Sequence, residues 1–93
     1  MELLEELKTT LRIGNNRFDE SELVPLINAC KMDMKISGVE TVQEEDALVR
    51  QAIKLYAKAY FGYYDDNEKY KIAYEGLRDA MALSGDYRRQ DAV

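Results

Sequence analysis

The stretch QEEDALVRQAIKLYAKAYFGYYDDNEKYKIAYEGLRDAMAL, residues 43–83, decides the fold. From Val49 to Tyr60, apolar and aromatic residues recur at spacings of three and four. A second stripe with the same period runs from Tyr70 to Met81. This period is typical of a helix that buries one face. The stretch therefore predicts two amphipathic helices, joined by a short polar turn and packed against each other as an antiparallel hairpin.

Within each stripe, the members fall on a single face of their own helix. They are Val49, Ala52, Ile53, Tyr56 and Tyr60, widened by Leu48, Leu55 and Ala59, followed by Tyr70, Ala73, Tyr74, Leu77 and Met81. We expect the tyrosines among them to pack in the core, which is the usual place for a large ring on an apolar face. The first of these helices is predicted from about Glu44 to Phe61, and the second ends at about Leu83.

The composition is that of one folded domain. The chain has 93 residues, of which 46% are hydrophobic, and this is ordinary for a globular protein. The one proline, the five glycines and the scarcity of β-branched runs favour helix over sheet. The single cysteine, Cys30, excludes an intrachain disulfide and indicates a reducing compartment. The sequence contains neither an apolar run of about 18 residues nor a secretory signal pattern, so we expect no membrane association.

Two further helices are predicted before the hairpin. Residues 2–13 carry a leucine stripe, with acidic residues early and basic residues late, and Gly14-Asn15-Asn16 is expected to end this helix. The second helix is predicted from about Ser21 to Ile36, and Ser37-Gly38 should stop it. Asp19 and Glu22 fit a capping box at its start, with Phe18 as the apolar residue before the cap. Pro25 leaves two alternatives, a start near Ser21 or a kink at the proline.

The remaining segments connect the predicted helices or follow the last of them. Residues 39–45 form a linker whose conformation the sequence leaves open, with Val39 and Val42 as anchors on the core. The run Asp65–Glu68 is expected to be a turn that caps the last helix. Residues 86–93 are polar, and we expect them to be mobile unless a partner orders them. The predicted fold is thus all-α, with one domain over 1–93: a compact bundle of about four helices with a C-terminal αα-hairpin and a short mobile tail.

The sequence offers little to catalysis. It has no histidine, which is the commonest general base and metal ligand. Cys30 lies on an apolar stripe with no base to activate it, so a small buried hydrophobe is the better interpretation. The run Asp65–Glu68 lacks the alternating ligand spacing and the central glycine of a calcium loop. We therefore expect no enzyme, no metal and no cofactor, and a function carried by surfaces.

Nucleic-acid binding is disfavoured by charge. The net charge is −5, whereas DNA affinity comes mostly from Lys and Arg on phosphates. The local basic pair Arg88-Arg89 is flanked by Asp86 and Asp91. A helix-turn-helix would need basic or amide side chains at the start of its recognition helix, whereas Gln43-Glu44-Glu45-Asp46 is predominantly acidic.

Three surfaces are the candidate interfaces. The first is the outer side of the first helix, the second is the hairpin tip, where tyrosines follow Gly62, and the third is the tail. Exposed tyrosines are enriched at protein interfaces because they are large, stiff and amphipathic. The candidate interface residues are Glu2, Glu5, Lys8, Arg12, Tyr63, Tyr64, Tyr87, Arg88 and Arg89.

The order of elements resembles that of a known family. LEELKTTLRI at residues 4–13, LVPLINA at residues 23–29 and the helical run 48–64 look like the small head–tail connector family of tailed bacteriophages, whose members are also described as head-completion or DNA-packaging proteins. The likeness covers most of the chain and rests on hydrophobic positions and helix order. Family members often carry a more basic run after the third helix, where this chain has Tyr63-Tyr64-Asp65-Asp66.

The resemblance implies a structural adaptor. Such a protein docks under the portal as a homo-oligomeric ring after DNA packaging, extends the DNA channel and joins the head to the next connector or tail protein. Its place is the head–tail junction of the virion, with assembly in the host cytoplasm. DNA passes through without sequence-specific binding, which an acidic wall would favour because like charges repel. The resemblance implies no catalytic residue and no cofactor.

Two alternatives from other classes stay open. One is a soluble regulatory module of the antirepressor type that binds a protein partner without forming a ring. The other is a DNA-binding helical domain, and its salt-dependent retention on DNA would separate it from both adaptor and regulator.

Overall fold

The predicted hairpin is present in a computed structural model that describes residues 2–17, 19–61 and 66–87. Four α-helices follow one another, and the described residues contain no β-strand, which confirms the predicted all-α bundle. The helices are α1 (Glu2–Leu11), α2 (Val24–Ile36), α3 (Ala47–Tyr60) and α4 (Asn67–Leu83). A π-helical turn, Asp19–Leu23, precedes α2, and a 3₁₀ turn, Gly85–Tyr87, follows α4.

Helix α3 is the element on which the others pack. It has its most extensive contact with α4, as the hairpin prediction required, and it also packs against α1 and α2. Between α3 and α4, the rings of Tyr56 and Tyr74 meet edge to face with their centroids 5.1 Å apart. The buried core residues, drawn from all four helices and the loop after α2, are Leu3, Leu4, Leu7, Leu11, Leu23, Ile27, Cys30, Met34, Val39, Val49, Ala52, Ile53, Ala57, Tyr74, Met81 and Tyr87.

Three residues of the predicted stripes lie at the surface. Leu48 and Tyr60 are nearly half exposed, and Ala73 is exposed as well. Leu48 sits in the first turn of α3 and Tyr60 is its last residue, so both lie where the helix runs beyond its partners. Ala57, outside the predicted stripe, takes up a fully buried position instead.

Helix α1 ends earlier than predicted, and a different residue ends it. Arg12, not Gly14, adopts the left-handed conformation, with φ = 60°. The Ile13 amide donates to the Lys8 carbonyl at 2.8 Å, and the Arg12 amide donates to the Thr9 carbonyl at 3.1 Å. These two bonds form a Schellman motif, in which a left-handed residue lets the last carbonyls be satisfied. An L-residue with a side chain pays about 1–2 kcal/mol for this conformation.

The start of α2 resolves the question raised by Pro25. The α-helix proper begins at Val24, so Pro25 lies in its first turn, where the missing N–H has no helical partner to lose. The predicted start near Ser21 is wrong for the α-helix, because the π-helical turn occupies that segment. The residue before α2 is Leu23, which makes no side-chain capping bond. The side chain of Asp19, which was predicted to form a capping box with Glu22, lies outside the description. Phe18 lies outside the described residues.

The end of α2 is as predicted. Gly38 has φ = 110°, and its amide and that of Val39 donate to the carbonyls of Lys35 and Met34 at 3.2 and 2.9 Å. A Cβ at Gly38 would lie 3.2 Å from the Cβ of Ala82, so glycine also permits the close approach of α4. Val39 then enters the core with no exposed surface, confirming it as an anchor.

The hairpin helices begin with different caps. Asp46 precedes α3, and its carboxylate accepts hydrogen bonds from the amides of Leu48 and Val49 at 2.8 and 3.3 Å. The predicted start at Glu44 is therefore early, because Asp46 has extended backbone angles and caps the helix from outside it. Asp66 precedes α4 and makes no side-chain capping bond, while Glu68 places negative charge in the first turn.

Candidate interaction surfaces

The outer side of α1 presents two of its four predicted residues to solvent. The side chain of Glu5 is 70% exposed, and Arg12 is exposed at the end of the helix. Glu2 begins the helix, and its side chain lies outside the description. These positions remain candidates for contact with a partner.

Lys8 is a correction to the predicted α1 surface. The residue is only 6% exposed, and its ammonium donates to the side-chain carbonyl of Asn16 and lies 3.6 Å from the Glu5 carboxylate. The polar loop after α1 folds back beside this helix and covers the amine. Lys8 therefore joins α1 to its following loop, and it is not a surface residue for a partner to grip.

The tail begins with a residue that packs into the protein. Tyr87 is 9% exposed, and its hydroxyl lies 3.0 Å from each carboxylate oxygen of Asp46. Its carbonyl accepts the amides of Glu40 and Thr41 at 2.8 and 3.0 Å. The expectation of a mobile tail from residue 86 therefore does not hold at Tyr87, which is held by the loop between α2 and α3.

Asp46 is the residue that the sequence analysis missed in this contact. Its carboxylate caps α3 and also accepts from Tyr87. Burial and then this bond to a carboxylate raise the pKa of Tyr87, since both disfavour the phenolate. The capping role could have been inferred from an aspartate directly before an apolar stripe, but its distant partner could not.

The other predicted interface residues cannot be placed. Tyr63 and Tyr64 at the hairpin tip, and Arg88 and Arg89 after Tyr87, lie outside the described residues. Their roles remain as predicted from the sequence.

A charge network joins α1, α2, α3 and the loop between α2 and α3. Glu6 pairs with Arg50 at 2.8 Å and with Lys54. The Arg50 Nε also donates to the carbonyl of Glu44 at 2.6 Å, while Lys31 pairs with the Glu44 carboxylate. The hydrogen bond from Lys54 is the main cause that lowers the pKa of the Glu6 carboxyl group. The charges of Lys54 and Arg50 lower this pKa further, whereas burial raises it. Glu6 and Glu44 are thus engaged in ion pairs within the fold.

A second polar cluster lies between α2 and α4. The Tyr74 hydroxyl donates to the Asp33 carboxylate at 2.6 Å, and Arg78 donates to the same oxygen at 3.0 Å. The Arg78 guanidinium also lies 5.6 Å from the centre of the Tyr74 ring. The cluster satisfies a buried phenol and fixes how α4 sits on α2.

Cys30 sits beside that cluster and has no exposed surface. Burial raises the pKa of its thiol to about 12, far above the usual value of about 8.5. At neutral pH the group is therefore a protonated thiol, which is a poor nucleophile. Cys30 works as a small core residue.

One apolar surface on α2 was missed. Met32 and Ile36 are 59% and 79% exposed, and they lie one turn apart on the face opposite the buried residues of that helix. The signal was present in the sequence, since both fall off the apolar stripe of an amphipathic helix. Single exposed apolar residues are normal, but a pair one turn apart offers a partner a small ridge.

The outer face of α4 carries exposed apolar residues among charged ones. Ile72 and Leu83 are 63% and 81% exposed, and Ala73, Gly76 and Ala80 between them are exposed too. A Cβ added at Gly76 would meet nothing within 4 Å, so the fold of one chain does not require glycine there. Glycine inside a helix costs about 1 kcal/mol relative to alanine.

The described residues hold no group of three or more Cys, Asp or Glu side chains arranged to bind a metal ion. Among the helices described, none is long and apolar enough to cross a membrane.

These features define a small, acidic, all-α protein whose distinctive groups lie on surfaces. The family model that matches the chain is described as phage connector protein, and the match covers residues 3–87. The chain therefore belongs to the phage connector protein family. A search of curated proteins finds no significant match, and a search of solved structures finds none either. Family membership implies a structural component of the virion that contacts other phage head or tail proteins.

Proposed function

We propose that this protein is a head–tail adaptor that docks under the portal as a ring, extends the DNA channel and joins the head to the next connector or tail protein. The observation that carries the proposal is the family match over residues 3–87. The distinctive groups of the described residues lie on surfaces and do not form a reactive site, which supports the proposal. The ring requires two different patches on each copy, because head-to-tail contacts are needed to close a cyclic assembly.

Several surfaces suit those contacts. On α1 the exposed side chains are Glu5 and Arg12, and on α2 they are Met32 and Ile36. Tyr63, Tyr64, Arg88 and Arg89 complete the set on sequence grounds. Lys8 and Tyr87 support these surfaces without facing a partner. Lys8 holds the loop after α1 in place, and Tyr87 holds the start of the C-terminal segment.

The net charge of −5 fits a channel that DNA traverses without binding. Because Glu6 and Glu44 are engaged in ion pairs within the chain, the repulsion would come from carboxylates outside that network. Glu5 is one such exposed group, although its side chain lies 3.6 Å from the Lys8 ammonium.

Native mass spectrometry across protein concentration, with and without purified portal assemblies, tests the proposal. We expect stoichiometric addition of this chain to the portal, or a closed ring. Addition should weaken when Met32 and Ile36 are both replaced by serine. A matched control replaces exposed Asn28 on the same helix by serine. A protein that ignores the portal at every concentration would overturn the adaptor proposal and leave the regulatory module as the better account.

A further inference from the structure

Helix α1 is held to the bundle mainly through one neighbour. Among the described elements, α3 is the one that α1 contacts extensively, and the packing of α3 on α4 and on α2 does not involve α1. The leucines of α1 are buried, and Leu3 and Leu7 are at most 1% exposed. A terminal helix that packs on one neighbour can leave it as a unit, because few other contacts must break.

The seat of α1 on α3 is marked by charge. Glu6 pairs with Arg50 at 2.8 Å and with Lys54. These three side chains are between 23% and 33% exposed, so the ion pairs are partly shielded from water and salt. The seat therefore fits a helix that carries a carboxylate beside its buried leucines.

The loop after α1 is long enough to carry this helix to another copy. Residues 12–17 reach about 20 Å when extended, and the shortest dimension of the bundle is 19 Å. The hydrogen bond from Lys8 to Asn16 favours the folded-back form of the loop. The left-handed backbone of Arg12 opposes that form, and an extended loop would release this strain.

The adaptor ring needs two different patches that fit each other, because its contacts run head to tail. Helix α1 and its seat on α3 are two such patches, and their fit is already visible within one chain. When an identical element is exchanged between copies, the same contacts form again between chains, so the cost is low.

We propose that α1 is exchanged when copies of this chain assemble, so that the α1 of each copy seats on the α3 of the next. This inference rests on the proposed adaptor function and names the contact that closes its ring. In dilute solution the copy's own α1 competes at an effective concentration on the order of millimolar. A micromolar solution of the wild type is therefore expected to be monomeric, and exchange sets in where the portal gathers the copies.

Two variants with complementary charges test the exchange. Glu6→Lys places a cation beside Arg50 and Lys54, whereas Arg50→Gln with Lys54→Glu in one chain places an anion beside Glu6. Each variant alone repels its own α1. In a mixture, reciprocal exchange gives one seat of the wild-type kind and one with the charges reversed, and both attract.

We expect heterodimers of the two variants in native mass spectrometry and sedimentation velocity. Their dissociation constant should be roughly a hundredfold lower than that of either homodimer, about tenfold for each of the two seats. Circular dichroism should show that each variant alone is helical, and the mixture should melt at a higher temperature than either. A mixture that stays monomeric up to near-millimolar protein would overturn the proposal.

The matched control is Glu5→Lys, on the exposed side of the same helix. It changes the net charge as Glu6→Lys does but leaves the seat on α3 intact. Mixed with the Arg50→Gln, Lys54→Glu chain, it should form no heterodimer above the homodimer level. Equal heterodimer formation with this control would mean that net charge drives the association, and the exchange would be refuted.

The exchange and the ring fail in different ways. If the charge variants do not pair while the wild type still adds to the portal, the exchange is wrong and the ring uses other surfaces. If the variants pair as expected while the wild type ignores the portal, α1 is exchangeable and the adaptor function is wrong.

Discussion

At the scale of single residues, Asp46 and Tyr87 join parts of the chain that are distant in sequence. The Asp46 carboxylate caps α3 and holds the Tyr87 hydroxyl, while the Tyr87 carbonyl holds two amides of the loop before α3. A buried phenol that donates to a carboxylate is costly to leave unpaired. This contact therefore ties the chain beyond α4 to the start of α3.

Replacing Tyr87 by phenylalanine should lower the free energy of unfolding by about 1–2 kcal/mol, because the hydroxyl bond to a charged acceptor is lost while the ring stays packed. Urea denaturation gives the value. Tyr60→Phe is the matched control, since Tyr60 is nearly half exposed and keeps its ring contact with Tyr56. We expect that control to change stability by less than about 0.5 kcal/mol.

Asp46→Ala should cost more than Tyr87→Phe, because it removes the cap of α3 as well as the bond to Tyr87. In a double-mutant cycle with Tyr87→Phe, the coupling energy should be about 1 kcal/mol. Strictly additive losses would mean that the two side chains do not interact, contrary to the 3.0 Å contacts.

At the scale of elements, the ends of the helices are where the structure departs from expectation. Helix α2 ends in a Schellman motif at Gly38, which the sequence indicates directly. Helix α1 ends in the same motif with Arg12 at the left-handed position, although Gly14 stands two residues later. Residues held in sparsely populated backbone conformations cluster at functional sites. Arg12 is exposed and belongs to the α1 surface that we propose for partner contact.

Arg12→Gly should therefore raise the free energy of unfolding by about 1 kcal/mol, because glycine adopts positive φ without strain. Thermal and urea unfolding both report it, and Arg12→Ala, which keeps a Cβ, should bring no such gain. If the arginine serves the adaptor interface, the stabilised Arg12→Gly protein should also add less readily to the portal. No gain in stability would mean that the left-handed cap is not strained.

The elements themselves were predictable and some of their contacts were not. The three- and four-residue spacing from Val49 to Met81 predicts the hairpin correctly because helix periodicity is a local property of the sequence. Lys8 looked exposed because its partner, Asn16, comes to it only when the loop after α1 folds back. Tyr87 looked like part of a mobile tail because its partners lie far earlier in the chain. The nearest of them, Asp46, is 41 positions away.

At the scale of the whole molecule, the fold is a compact all-α bundle that is longer than it is wide. The Cα atoms span 45 × 27 × 19 Å, and the radius of gyration is 13.4 Å, against about 12 Å expected for a spherical domain of this length. An elongated body has more surface for its volume, which suits a protein that works through contacts. Its core nevertheless contains a thiol and several phenols that must stay protonated.

Stability should consequently fall at alkaline pH. Burial raises the pKa of Cys30 to about 12, so above its unfolded value of about 8.5 the unfolded chain releases a proton that the folded chain keeps. The contribution of this group is complete below the unfolded pKa and is lost as pH rises toward the folded one. The slope reaches about 1.4 kcal/mol per pH unit for one such group. Tyr56, Tyr74 and Tyr87, whose pKa values are also raised, add to it near their usual pKa of about 10.

Urea titrations between about pH 8 and pH 10 measure this slope. Cys30→Ala should show a lower stability at neutral pH, because it leaves a small cavity, but a shallower alkaline decline. The comparison of slopes removes the effect of the cavity. A wild-type stability that stays flat through this range would show that the thiol ionises as easily in the folded protein as in the unfolded chain.

The two hydrogen bonds that the amides of Glu40 and Thr41 donate to the Tyr87 carbonyl have a practical consequence for labelling. A fluorophore attached a few residues beyond Tyr87 is therefore tethered to a known point beside the loop between α2 and α3. Energy transfer from such a label to a labelled portal would report which end of this protein faces the head.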